Sequence, residues 1–281
     1  MASVYEIVTD KIIQELEKGV IPWKQPWAGK PFPVNWETQR PYRGVNLLLL
    51  PPGGEYATFK KITEAGGRVK KGARSYTVVF WKLLDVEEEG TDGETETKTV
   101  PYLRYYRVFE VNTQVEGLRS KQGIGQYNHE TKPTAEDIVA RMPNSPEIEH
   151  FPGSAGYSLK RDAIRIPRLS DFETVEEYYQ TLFHELVHST AHPGRLNRKV
   201  GPKGSREYAK EELVAEIGAS FLMAEAGLEI PLTNTAGYID YWLGVLRRDK
   251  RLIVEAAGAA QRAVDYILNR QDEILPAKHI A

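Results

Sequence analysis

Residues 181–192 read Thr-Leu-Phe-His-Glu-Leu-Val-His-Ser-Thr-Ala-His, and this stretch decides how the second half of the chain folds. His184 and His188 lie four residues apart, so they project from the same face of an α-helix. Two imidazoles one turn apart can bind a single zinc ion at about 2.0–2.1 Å each. Glu185 lies beside them, where a carboxylate can accept a proton from a zinc-bound water. Four apolar neighbours predict that this helix is embedded in a core: Leu182, Phe183, Leu186 and Val187.

A catalytic zinc ion needs a third protein ligand and one open coordination position. His192 lies one turn further on but precedes a proline, so we place it beside the site as a helix-end or substrate-side residue and not as a ligand. The next predicted helix, residues 205–226, carries Glu212 and Glu216 one turn apart on a face of small residues. We predict that Glu212 binds the metal and that Glu216 accepts a hydrogen bond from a metal-bound histidine. Glu211 is expected on the solvated face.

The alternative to a metal site is a pair of buried, hydrogen-bonded histidines, which would bury two rings and a carboxylate together at considerable cost. We expect one Zn²⁺ ion, and the residue types leave Mn²⁺ and Co²⁺ open. A hydrolytic site also needs a donor for the oxyanion. The sequence offers four donors and does not choose among them: His192, Tyr208, Tyr238 and Tyr241.

The remaining patterns predict a mixed α+β fold. Ser3 followed by Glu6 is typical of a capping box at the start of a helix, which Gly19 ends. β-Branched and aromatic residues predict strands at residues 76–84 and 101–111, on either side of an acidic loop at residues 85–96. The second half is predicted to contain a hairpin at residues 157–166 and helices at residues 135–142, 175–191, 205–226 and 234–269, the last with a break near Lys250.

Composition limits the classes of protein that this chain can represent. Its 281 residues contain no cysteine, which excludes disulfides and cysteine-bound metals. The N-terminus lacks the charged and apolar regions of a signal peptide, and no apolar run approaches the roughly 20 residues of a membrane span. We therefore expect a cytoplasmic protein without a membrane partner. The formal net charge is −2, so affinity for nucleic acid requires a local basic patch.

The first half of the chain contains such a patch. Residues 40–82 hold nine basic and two acidic residues, interleaved with six aromatic residues. Single-strand binding without sequence preference requires cations along the phosphates and flat rings under the bases. A merely soluble basic face with core aromatics would have the same composition, and Trp23 and Trp27 are equally suited to anchoring a loop between prolines. The predicted DNA-contacting residues are Trp23, Lys24, Trp27, Tyr42, Arg43, Asn46, Lys60, Arg68, Lys70, Lys71, Arg74 and Trp81.

Longer segments of both halves resemble one known family. In the second half, residues 181–192 are followed by Arg-Leu-Asn-Arg at 195–198 and by Glu-Glu-Leu-Val-Ala-Glu at 211–216. The first half has Gly-Val-Ile-Pro-Trp-Lys-Gln-Pro-Trp at 19–27, Pro-Tyr-Arg-Gly-Val-Asn at 41–46 and Gly-Gly-Arg-Val-Lys-Lys-Gly at 66–72. In this order, and over nearly the whole chain, these segments resemble the ArdC-like antirestriction proteins.

The resemblance implies a fold and a function. It implies an N-terminal α+β domain that binds single-stranded DNA and a mainly helical, gluzincin-like metallopeptidase domain with a small β-sheet. Because the chain turns polar at residues 120–145, we place these domains at residues 1–125 and 146–281, with a linker at 126–145. In that picture the metal ligands are His184, His188 and Glu212, and Glu185 is the base. Such proteins are carried by conjugative plasmids and are thought to protect incoming DNA from restriction.

Three hypotheses about function remain open from the sequence. In the first, the zinc domain cleaves a protein, for example a component of the restriction machinery, while the DNA domain localises it. In the second, DNA coating alone protects, and the metal site is not catalytic. In the third, the protein is an intracellular regulatory zinc protease whose DNA binding is incidental.

Overall fold

Strands dominate the first half of the chain, and helices dominate the second half. The computed structural model describes residues 2–25, 31–89, 95–121, 134–231 and 236–270. The strands are β1 (Val34–Asn35), β2 (Glu55–Thr58), β3 (Arg68–Val69), β4 (Tyr76–Glu89), β5 (Thr95–Glu110), β6 (Val115–Glu116), β7 (Glu147–His150), β8 (Gly156–Ser158) and β9 (Ala163–Ile166). The helices are α1 (Val4–Glu17), α2 (Val45–Leu49), α3 (Phe59–Glu64), α4 (Val111–Gln114), α5 (Ala135–Arg141), α6 (Val175–Ser189), α7 (Arg206–Ala226), α8 (Ala236–Arg248) and α9 (Leu252–Ile267). The mixed α+β fold is confirmed.

The first half contains a four-stranded sheet in the order β1-β2-β5-β4. Its two longest strands form an antiparallel hairpin in which Tyr76 pairs with Val108 at one end and Glu89 with Thr95 at the other. The sequence prediction of an acidic loop at residues 85–96 was therefore too long, because most of that segment belongs to the strands. The returning strand β5 contains threonines, which favour extended backbone, whereas the acidic residues of this segment favour it less. Residues 90–94 lie outside the described residues.

The second half packs α6, α7 and α9 together beside a three-stranded sheet in the order β7-β9-β8. Small side chains permit the close approach of α6 and α7, since Gly218 faces Val187 so closely that it leaves no room for a Cβ atom. The strand β8 is an edge of the small sheet and lies against α6. The predicted break near Lys250 is confirmed, because α8 ends at Arg248 and α9 begins at Leu252.

The two halves share one hydrophobic core. Helix α1 packs on α8 and α9, and α2 packs on α9. Polar contacts reinforce this junction: the Thr9 hydroxyl donates to the Lys250 carbonyl at 2.6 Å, and Arg43 forms an ion pair with the buried Asp265. The described part of the predicted linker also belongs to this core, through Ile138 of α5. Within the described ranges, no helix is both long and apolar enough to cross a membrane.

Candidate metal centre

Two adjacent helices bring three ligand atoms together. Helix α6 starts at its N-cap Thr174 and carries His184 and His188, while α7 starts at its N-cap Ser205 and carries Glu212. The Nε2 atoms of the two histidines are 3.0 Å apart, and the Glu212 carboxylate oxygens lie 3.8 Å from the first and 3.7 Å from the second. All three ligand atoms lie within 4.8 Å of one another. Two imidazole nitrogens and a carboxylate oxygen fit a divalent transition metal that keeps an open position.

A carboxylate behind the site orients one of the ligands. Glu211, only 4% exposed, contacts Nδ1 of His188 at 3.2 Å and accepts hydrogen bonds from Arg198 at 2.6 and 2.9 Å. Arg198 also donates to the Val187 carbonyl, which ties the loop before α7 to α6. The prediction that Glu211 faces solvent was wrong. A carboxylate on the second ring nitrogen fixes the tautomer and orientation that leave the first nitrogen for the metal.

The pKa values of the two histidines shift in opposite directions. Burial lowers the pKa of His184 to about 3, with further contributions from His188 and Lys24, so this ring is neutral and able to bind a metal. Burial also disfavours a charged His188, but the pKa of His188 is raised because Glu211, Glu185 and Glu212 outweigh that effect. A cluster of carboxylates that favours a cation here fits a metal ion equally well.

Glu185 is buried beside the ligands and is held by the edge strand. The backbone N–H of Tyr157, in β8, donates to Oε2 of Glu185 at 2.7 Å. Burial raises the pKa of Glu185, although His188 and the Tyr157 N–H oppose that rise. A carboxylate in this environment binds a proton more readily than an exposed glutamate does, which suits a general base that must later release the proton.

A cleft of about 330 Å³ opens in front of these residues. It is lined by Gly156, Tyr157, Leu159, His184, Glu185, His188, Ala191, Val200, Tyr208 and Glu212. Of the four oxyanion donors that the sequence offered, Tyr208 lines the cleft and hydrogen-bonds Glu212. Tyr238 is instead hydrogen-bonded to Trp23, Tyr241 is 47% exposed on α8, and His192 lies beyond the end of α6, where its Nδ1 accepts from the Gly194 N–H at 3.1 Å.

We predicted that Glu216 contacts a ligand histidine, but Glu211 makes this contact instead. The histidine partner on α7 is Glu211, whereas Glu216 hydrogen-bonds the hydroxyl of Tyr238. Helix α7 is buried on nearly every side, so no solvated face distinguishes its glutamates. The role of His192 beside the site stays a prediction.

The structure separates the predicted DNA-contacting residues into two groups. Trp23, Lys24, Tyr42 and Asn46 are buried, and Arg43 pairs with Asp265, so the assignment of these five residues to a DNA surface is not supported. Their rings and amides belong to the core: Asn46, for example, exchanges hydrogen bonds with the backbone of Val79. Trp27 lies outside the described residues. The exposed members are Lys60, Arg68, Lys70, Lys71, Arg74 and Trp81.

Two exposed rings on the returning strand β5 are not among the predicted DNA-contacting residues. Tyr102 and Tyr105 of β5 are 47% and 43% exposed, beside Arg104 and Arg107 on the same strand. The hairpin register pairs Trp81 with Leu103 and Val79 with Tyr105, so the Trp81 and Tyr105 side chains stand on one face. The basic and aromatic patch predicted from the sequence ends at residue 82, before this strand. Its aromatic pattern was itself the signal that could have identified them.

The fold and the metal-binding group His184/His188/Glu212 define a class of protein, the zincin-like metallopeptidase domain. Residues 133–259 match the family described as zincin-like metallopeptidase. Residues 2–109 match the N-terminal domain of the anti-restriction factor ArdC. The crystal structure of the antirestriction ArdC protein from plasmid R388 superposes with a TM-score of 0.75 at 31% identity, over 98% of this chain and 100% of that one. The chain belongs to the ArdC family.

A second crystal structure of that R388 protein, at 32% identity and the same TM-score and coverage, is its Mn(II)-bound form. Among curated proteins, the uncharacterized protein y4eC of Sinorhizobium fredii is 30% identical over 96% of this chain and 93% of its own length. Two proteins called DNA primase TraC from Escherichia coli are each 31% identical over 94% of this chain. The chain spans only 20% and 27% of the length of these two primases.

Proposed function

We propose that this protein is an antirestriction factor that binds single-stranded DNA through its first half and hydrolyses peptide bonds at the metal centre of its second half. The convergence of His184, His188 and Glu212 beside Glu185 supports the hydrolytic part most directly. Membership of the ArdC family supports the antirestriction role. Zn²⁺ is the ion we expect, and the Mn(II) found in the R388 protein makes Mn²⁺ a second candidate.

The residues around the cleft divide the work of hydrolysis among them. A bound divalent ion would supply a water of lowered pKa and polarise the peptide carbonyl. Glu185 accepts a proton from the attacking water and transfers it to the leaving amine, with its carboxylate oriented by the Tyr157 N–H. Tyr208 is the cleft residue that we assign as hydrogen-bond donor to the oxyanion. Exposed Leu159 and Val200 give the cleft an apolar rim.

The Glu185→Gln variant tests the enzymatic proposal, because it keeps the size of the side chain and removes its basicity. We expect hydrolysis of a denatured protein such as casein by the Zn²⁺- or Mn²⁺-loaded chain to fall by about 10²–10⁴-fold, with metal content unchanged. Tyr208→Phe should slow hydrolysis without loss of metal. Equal activity of wild-type and Glu185→Gln protein would refute Glu185 as the base.

The exposed rings and cations of the β4–β5 hairpin support the DNA-binding part. Trp81 and Tyr105 on one face offer two stacking surfaces, and Arg107 lies opposite Thr77 on that same face. Each stacked base contributes about 1–3 kcal/mol, so loss of either ring should weaken binding about 5- to 150-fold. The measurement is fluorescence anisotropy of a labelled oligothymidylate with Trp81→Ala and Tyr105→Ala. Tyr241→Ala, which removes an equally exposed ring from α8, is the control and should bind normally.

Coating of DNA without proteolysis is the second candidate, favoured by the same exposed aromatic face. Conjugation into a recipient with an active restriction system separates the two. If proteolysis protects, Glu185→Gln should lose protection and keep its DNA affinity. If coating protects, Glu185→Gln should protect fully, while Trp81→Ala combined with Tyr105→Ala should not. An unchanged plasmid yield in both variants would refute both candidates.

A further inference from the structure

A buried arginine in the loop after α6 connects that helix to the edge strand β8. The side chain of Arg195 is only 2% exposed. Its Nε donates to the carbonyl of Ser189, the last residue of α6, at 2.8 Å, and one Nη donates to the Asn144 carbonyl at 2.6 Å. The two Nη atoms also donate to the two carboxylate oxygens of Asp162, and one of them donates to the Tyr157 hydroxyl at 3.2 Å. Every N–H donor of the guanidinium therefore has an acceptor.

Tyr157 carries this network to the base. Its hydroxyl donates to Oδ1 of Asp162 at 2.8 Å, while its backbone N–H donates to Oε2 of Glu185 at 2.7 Å. One end of this residue is thus held by the ion pair, and the other end holds the base. Glu185 and Ser189 lie about one turn apart on α6, so Arg195 fixes β8 to the same stretch of helix that carries the base.

The strand β8 needs this support because of its place in the fold. It is an edge strand that pairs with β9, and all of its residues are half-buried. Gly156 and Tyr157 line the cleft, so one side of the strand must stay open to substrate. Apolar packing therefore holds this strand less firmly than a strand inside a core, whereas hydrogen bonds to a buried side chain can fix it. Catalytic groups must be held within about 0.5 Å of their productive geometry.

We propose that Arg195 is a positioning residue for hydrolysis, which acts through Tyr157 to hold the Glu185 carboxylate where it accepts the proton of the attacking water. Asp162 completes the arrangement, because it binds both the guanidinium and the tyrosine hydroxyl. The inference rests on the proposed function and deepens it. It makes the rate of the chemical step depend on a side chain that does not line the cleft.

Hydrolysis of casein by the full-length, Zn²⁺-loaded chain tests the role of Arg195. Lysine keeps the positive charge but replaces a planar fork of five donors with a compact ammonium. Arg195→Lys should lower kcat about tenfold or more and keep KM and Mn²⁺ affinity within about threefold of wild type, because the base acts on the water and not on the bound substrate. Arg165→Lys is the matched control. Arg165 forms an exposed ion pair with Glu149 in the same small sheet, and its replacement should change kcat less than about twofold.

The Glu185→Gln background distinguishes positioning from a merely structural role. A residue that acts through the base has little left to contribute once the base is gone, so Arg195→Lys should lower the residual kcat less than about twofold there. A structural role would lower kcat by the same factor in both backgrounds, and that result would overturn the inference. Loss of Mn²⁺ affinity together with kcat would overturn it as well, because Arg195 would then act on the metal ligands.

Two outcomes separate this inference from the proposed function. Normal kcat of Arg195→Lys beside an impaired Glu185→Gln would overturn the inference and leave Glu185 as the base. Equal kcat of wild type and Glu185→Gln would refute the base and the inference with it. If Arg195→Lys does not fold, Tyr157→Phe decides alone, since it keeps the ion pair and removes only the hydroxyl. It should lower kcat about threefold or more, except in the Glu185→Gln background, and an unchanged kcat would overturn the inference.

Discussion

Gly218 offers the sharpest test of how the two ligand-bearing helices are held. A Cβ atom at this position would lie 2.8 and 3.0 Å from the two γ-carbons of Val187 on α6. Carbon atoms in good contact are about 3.5–4.0 Å apart, so Gly218→Ala creates an overlap of about 0.5–1.2 Å. Valine in a helix has one strongly preferred rotamer and cannot turn away, so α6 and α7 must separate. His184 lies on α6 and Glu212 lies on α7, so separation of the helices would move these two ligands apart.

A second glycine-to-alanine substitution separates the cost of overpacking from the gain in helix propensity. Overpacking of a core costs about 1–3 kcal/mol, whereas alanine in a helix gains about 0.8–1 kcal/mol over glycine. Gly244→Ala in α8 has the same helical gain, but its new methyl group would meet only the Arg248 guanidinium, at 3.8 Å. The difference in unfolding free energy between the two variants should therefore be about 1–3 kcal/mol, with Gly218→Ala the less stable.

Urea unfolding in the presence of a chelator measures this difference without a contribution from metal binding. Calorimetric titration with Mn²⁺ then reports whether the helices have moved apart, and Gly218→Ala should bind the ion more weakly than Gly244→Ala. Equal stability of the two variants would refute the reasoning, because it would mean that α6 and α7 accommodate a methyl group without separating.

Two further predictions concern the groups around the ligands. Glu211→Gln removes the charge that orients His188 and should weaken metal binding about 10- to 100-fold; an unchanged affinity would show that the carboxylate is not needed there. Burial acts to raise the pKa of Asp162, but hydrogen bonds donated by Arg195 and the Tyr157 hydroxyl outweigh it and hold that pKa below its ordinary value. A lowered folded-state pKa stabilises the fold at neutral pH, and this stabilisation disappears as the pH falls through that pKa. Asp162→Asn should therefore melt below wild type at pH 7, with a gap that closes below about pH 4; a constant gap would contradict this assignment.

The metal ligands and the base could be predicted because their arrangement depends mostly on residues that are close in sequence. The spacing of His184 and His188 defines one helical face, and Glu185 follows from its place beside the first histidine. Glu212 required one more assumption, that the next helix packs against this face, which its small residues supported. Neither step depends on the course of the loops between them.

The role of Glu211 could not be predicted from such patterns. Helix α7 buries residues on nearly every side, so its apolar positions mark no stripe, and the orientation of Glu211 and Glu216 is undetermined by periodicity. What selects Glu211 is Arg198, which reaches it from the loop before the helix while donating to the Val187 carbonyl. That contact depends on tertiary structure, and only the folded chain shows it.

Dependence on tertiary structure also explains why the sequence did not separate the buried aromatic residues from the exposed ones. Composition cannot distinguish a ring that stacks on a base from one that fills a core, because both require the same side chain. Trp23 is buried by Trp242, a residue in the last third of the chain, whereas Trp81 remains exposed on a hairpin whose partner strand brings Tyr105 to the same face. Long-range pairing, in one case with a helix and in the other with a strand, decides whether each ring is buried or exposed.

Because the two halves share one core, the stability of each half depends on the other. If the two halves were independent modules on a linker, changes in α1 would leave the second half unaffected. Instead α1 packs on α8 and α9, and Trp23, in the segment after α1, donates to the Tyr238 hydroxyl of α8. Separating the halves would expose the apolar faces of these helices. The first half therefore completes the core around α9, the helix on which the ligand-bearing helices α6 and α7 pack.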